Sequence, residues 1–95
     1  MLPRVLTFDD FAPMRGKPFS VQVQNGTFQL VLVEAQELPG SVRSGGGFRL
    51  EFHGPAQPAL GQGVYRFLIG GQPNDIFLVP LGAIADKMRY EAIFF

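Results

Sequence analysis

His53 is the chain's one imidazole, and so the one side chain whose ordinary pKa lets it exchange a proton near neutrality. Paired with Asp75 or Glu51, it would make the His–carboxylate couple that general acid–base chemistry uses. A nucleophile would have to come from Ser20, Ser41 or Ser44, and none of them stands in a Gly-x-Ser-x-Gly turn or another local nucleophile pattern. One histidine with scattered carboxylates lacks the paired spacing of a metal site, and the absence of cysteine removes thiolate ligands and disulfides. Lying just ahead of Gly54-Pro55, His53 reads as a partly exposed side chain that hydrogen-bonds loop backbone. No catalytic residue, metal ligand or cofactor site is assigned, and the chain reads as a binding protein, not an enzyme.

The remaining candidates have local explanations. In Leu6-Thr7-Phe8-Asp9-Asp10-Phe11, Thr7 suits the N-cap of a helix, Asp10 the capping-box position, and Leu6 with Phe11 a hydrophobic staple. Pro13 and Gly16 keep that helix short, and Phe8 and Phe11 are free to plug one end of a sheet structure. Asp75 falls in a Pro-Asn-Asp turn, where Asn and Asp bond their own backbone. The glycine-rich stretch from Gly40 to Gly47 reads as a mobile loop. It lacks the Gly-Lys-Ser/Thr ending of a phosphate loop, and a strand follows it where an anion site would need a helix.

The elements that must position these residues are strands. Phe19, Val21 and Val23 alternate with polar residues, Asn25-Gly26 suits a type I′ turn, and Phe28, Leu30 and Leu32 resume the alternation. With Asn25 and Gly26 as the loop, Val23 faces Phe28, Val21 faces Leu30 and Phe19 faces Leu32, so one face is wholly apolar. Glu34 interrupts the inward series, which predicts a bulge or the strand's end there, because an unpaired buried carboxylate costs several kcal/mol. Phe48 to Phe52 makes a third strand, and Gly54 to Gly63 an ordered loop carrying Leu60 inward. Gly63 to Ile69 makes a fourth, with Tyr65, Phe67 and Ile69 on one face. Gly70 to Asp75 turns the chain, and Ile76 to Val79 makes a fifth strand ended by Pro80. Lys87 to Phe95 is the sixth, with Met88, Tyr90, Ala92 and Phe94 inward. The fold class is all-β: a single domain over residues 1–95, a small antiparallel six-stranded barrel with one short N-terminal helix, or alternatively a two-sheet sandwich.

Eight basic residues balance eight acidic ones, so no positive field exists to hold nucleic acid or an anionic membrane. Arg49, Glu51, Arg66, Arg89 and Glu91 lie on outward faces as cross-strand charge pairs. No apolar h-region follows Met1-Leu-Pro-Arg4 and no apolar run reaches the roughly 20 residues of a membrane span, so the expectation is a cytoplasmic chain without a signal peptide.

The end of the chain is unusually apolar. Ile93 and Phe95 fall on the face opposite Phe94, and Val31, Val33, Val64 and Leu68 add outward apolar positions. Arg89, Glu91, Ile93, Phe94 and Phe95, with an exposed edge beside the last strand, are therefore the expected interface, either for a second copy or for another protein. A small barrel holding an apolar ligand near Tyr65, Phe67 and Tyr90 is the alternative.

Several spacings resemble an uncharacterised family of small bacterial proteins, a domain of unknown function. They are Phe48-Arg-Leu-Glu-Phe52-His-Gly54-Pro55, Leu60-Gly-Gln62-Gly63-Val-Tyr65, Phe77-Leu-Val79-Pro80 and Tyr90-Glu91-Ala92, with Phe11, Gly16 and Phe19 upstream. The resemblance implies an accessory part of a phage-tail-like or tail-fibre assembly, in the bacterial cytoplasm or in a phage-like particle. It carries over no catalytic residue.

Overall fold

The structure, a computed structural model, describes residues 5–95; residues 1–4, on which the expectation about a signal peptide falls, lie outside the described residues. Six antiparallel strands close into a barrel: β1 (Pro18–Val23), β2 (Gly26–Leu38), β3 (Gly47–Pro55), β4 (Gly63–Ile69), β5 (Gln72–Ile84) and β6 (Lys87–Phe94). Around the barrel the order is β1-β2-β3-β6-β5-β4, with β4 returning to β1. Closure excludes the sandwich. It also corrects the expected free edge, because β6 is flanked by β3 and β5. Closing the sheet satisfies strand groups that an open edge would leave unpaired.

Inward residues fill the barrel. Val21, Leu30, Leu32, Phe48, Leu50, Phe52, Phe67, Leu78 and Tyr90 have no exposed surface. Phe19 meets Phe52 edge-on with ring centroids 5.8 Å apart, and Phe52 lies 5.2 Å from Phe67. Phe11 plugs one end, against Phe19, Phe48 and Phe94 at 5.9, 5.7 and 6.1 Å. It is held there by the short N-terminal helix, which takes the form of two consecutive 3-10 turns, Phe8–Asp10 and Ala12–Met14. The second turn carries Pro13, which has no N–H to give a longer helix. The Thr7 amide donates to Asp10 Oδ2 at 2.7 Å, as the capping-box spacing implies.

The hairpin register departs from the expected one. Val23 pairs with Gly26, Val21 with Phe28 and Phe19 with Leu30, so the turn is Gln24-Asn25. Gly26 takes the positive φ, +143°, as the first residue of β2. The displacement is two residues, an even number, so every apolar side chain keeps its face.

β2 bulges between Leu32 and Glu34 and runs on to Leu38, leaving Glu34 outside. β5 is longer than its apolar core: it begins at Gln72, right after Gly70-Gly71, and continues through Pro80, which pairs with Tyr90. A register shift between Pro80 and Gly82 absorbs the missing N–H, so the proline marks a bulge and not an end. The 56–62 loop is tied down by two tyrosines. The Leu60 amide donates to the Tyr90 hydroxyl at 2.7 Å, and the Tyr65 hydroxyl donates to the Gly61 carbonyl at 2.7 Å.

Candidate functional site

The outer wall of β2, β3 and β6 carries three carboxylates in one row, since Glu34 is opposite Glu51 and Glu51 opposite Glu91. Like charges directly across a sheet repel, so the row needs cations between its members. Arg89 donates through Nε to Glu51 Oε2 at 2.9 Å and through Nη2 to Oε1 at 3.2 Å. Arg49 Nη2 donates to Glu51 Oε1 at 3.0 Å, and its Nε donates to Glu91. Arg15 sits 3.8 Å from Glu34. Glu51 is the hub, and the Arg89 hydrogen bond, aided by His53 and Arg49 against the cost of burial, holds its pKa at about 2. The five outward charges thus pair across strands as the alternation implies, with Arg66 joined to Asp75 at 3.4 Å on β4 and β5.

His53 Nε2 lies 2.9 Å from Glu51 Oε2, so its partner is a carboxylate and not the loop backbone expected from Gly54-Pro55. The acid–base couple with Glu51 is formed; the one with Asp75 is not, because Asp75 belongs to the β4–β5 wall. A carboxylate committed to two guanidinium groups is a poor proton acceptor. Ser20 accepts from Gln29 at 2.9 Å and Ser41 from the Arg43 amide at 3.1 Å, so each hydroxyl serves local structure. Among the described residues no group of three or more His, Asp or Glu side chains is placed to hold a metal ion. A cleft of about 630 Å³ opens at one barrel end between Thr7, Phe8, Glu37 and Ser41, away from His53. At the position expected for an apolar ligand, Phe67 and Tyr90 have no exposed surface and Tyr65 is half-buried.

Apolar surface concentrates on β4, β5 and β6. Val64 is 63% exposed and Phe77 51%, and the two are directly opposite across the β4–β5 ladder. The β5–β6 ladder reaches Val79 opposite Glu91 at this end. Two residues further along each strand, on the same outer face, stand Phe77 and Ile93, which is 56% exposed. Side chains at alternate positions share a face, so Val64 and Phe77 lie side by side on the outer wall and Ile93 is on the outer face of β6, one alternate position past the last β5–β6 pair, with Phe95 beyond at 65% exposure.

Of the residues expected at an interface, Ile93 and Phe95 are on this surface, and Arg89 and Glu91 sit in the charge lattice beside it. Phe94 is not: its ring turns inward and stacks on Phe48 with centroids 4.4 Å apart, as its place in the alternation dictates. Sequence reading missed Phe77. The alternation of β5 offered the signal, because Ile76 and Leu78 are inward and Phe77 therefore outward.

Among the described residues no helix is long and apolar enough to cross a membrane. Residues 6–94 match the family model described as Domain of unknown function (DUF6916). No curated protein and no solved structure matches the chain.

Proposed function

Since the chain belongs to the DUF6916 family, whose description assigns no activity, we propose that it is a non-catalytic structural or interaction module that associates with copies of itself through its outer wall. The observation that carries this reading is the outward exposure of Val64, Phe77 and Ile93. Exposed apolar side chains gathered on one face favour burial against another molecule, because water is released from them. The non-catalytic part of the reading draws support from the fate of the candidate chemistry, with Glu51 held by arginines and the Ser20 and Ser41 hydroxyls spent on local bonds. A bacterial or phage-tail-like assembly as the larger setting rests on the resemblance alone.

The test is molar mass in solution over a wide concentration range, for the native chain and for Phe77→Ser with Ile93→Ser. Deleting the last three residues would remove Phe94 from the core and confuse association with unfolding. The native chain is expected to exceed one chain's mass on concentration, and the doubly substituted chain to remain a monomer. A native chain that stays a monomer throughout overturns the reading.

A further inference from the structure

Resting on that reading of the wall, we propose that two copies pair around a two-fold axis lying along the β4–β5 seam, so that Arg66 of each copy meets Asp75 of the other. The wall's own charges select this axis. Arg66 and Asp75 are directly opposite on β4 and β5, one step from the opposed pair Val64 and Phe77. A two-fold axis running along the seam exchanges β4 for β5 across the interface. It sets Arg66 over Asp75 and Val64 over Phe77 twice each, as an isologous contact requires. An axis running across the strands through this row, or along β5 itself, sets like over like: Arg66 over Arg66, or Asp75 over Asp75.

Two further features fit the same arrangement. The Arg66–Asp75 pair within one chain is loose, at 3.4 Å, with both side chains more than half exposed, so exchanging partners sacrifices little. Beside Val64 lies a hollow of about 360 Å³, bounded by Gln22, Val23, Arg66 and Asp75, where the β1–β4 ladder has just the pairs Val21–Phe67 and Gln22–Arg66. Under the two-fold the second copy's aromatic ring at position 77 arrives over Val64 at the mouth of this hollow. There the Arg66 guanidinium can cover the ring's face. Zero net charge leaves no long-range repulsion between copies.

Charge exchange tests the arrangement. Arg66→Asp alone and Asp75→Arg alone each place like charges across the axis and are expected to weaken dimerisation by about tenfold or more. Mixed one to one, they restore both contacts in the heterodimer, and the dimer constant returns to within about threefold of the native one. Circular dichroism and melting of each variant confirm that the barrel is intact. A native dimer that is indifferent to both exchanges, or exchanges that weaken it with no rescue on mixing, overturns this axis while leaving self-association in place. A native chain with no dimer at all overturns both.

Discussion

Phe48 and Phe94 stack with ring centroids 4.4 Å apart, and the Arg43 guanidinium lies over both rings at 5.3 and 5.2 Å. The same guanidinium donates through Nη1 to the carbonyls of Leu6 at 2.8 Å, Gly46 at 2.9 Å and Ser44 at 3.2 Å. One side chain from the glycine-rich loop thus fastens the segment before the first turn, the loop itself and the last strand to one barrel end. A stretch whose composition predicts mobility is tied down by its single arginine.

Replacing Arg43 with Met removes the carbonyl bonds and the cation over the rings while keeping a stem of similar length. The expected loss is about 2 kcal/mol in urea unfolding. Arg43→Lys keeps the charge without the planar fork, and about half that loss is expected. Equal stability of all three proteins would deny the fastening role.

Glu51 makes stability depend on acid. Its folded pKa of about 2 lies below the ordinary 4.5, so its contribution is complete above the ordinary value and is lost as pH falls from there through about 2. The shift sets an upper bound of about 3 kcal/mol, which solvent around the arginines lowers to about 1–2 kcal/mol. Urea unfolding of the native chain and of Glu51→Gln, followed from pH 6 to pH 2, measures it. The native curve should fall more steeply below pH 4.5, and parallel curves would assign acid sensitivity to other groups.

The Tyr90 hydroxyl is the acceptor for the Leu60 amide, so Tyr90→Phe leaves that donor without its partner. About 1 kcal/mol of destabilisation follows, together with faster hydrogen exchange at Leu60. Burial also pushes the Tyr90 phenol up from 10.0, so its contribution stands below that value and is lost as pH rises through the folded one. Unchanged exchange at Leu60 would mean that Tyr65 and backbone packing hold the loop without it.

At Gly54 a Cβ would come within 2.6 Å of Leu30 Cδ2 and 3.4 Å of Phe28 Cε1. The Leu30 side chain is fully buried and has little room to yield, so Gly54→Ala is expected to cost about 1–3 kcal/mol by overpacking. Thermal unfolding checks it, and a neutral substitution would show that Leu30 re-packs freely.

Alternation of apolar and polar residues made the barrel legible, because a period of two assigns each strand residue a side regardless of what it pairs with. That is why the inward set of β6 was readable while the hairpin register was not: a two-residue displacement preserves every face, and only the turn geometry at Gly26 distinguishes the two registers. The extent of β5 was hidden for a related reason. Pro80 reads as a stop, yet the adjacent register shift accommodates it. Closure of the barrel depends on contacts between β1 and β4, which lie far apart in the sequence and leave no local signature. The charge lattice could be read as outward pairs, but the convergence of Arg49, Arg89 and His53 on Glu51 required the register of β3 against β6.

The wall's role is tested most directly by methyl chemical shifts followed through a dilution series. Val64 and Ile93 report from the wall, and Val42, fully exposed in the loop at Pro39 to Gly46, serves as the internal reference. The account predicts concentration-dependent shifts at Val64 and Ile93 with Val42 unmoved. Shifts that appear at Val42 instead, or that appear nowhere, would contradict it.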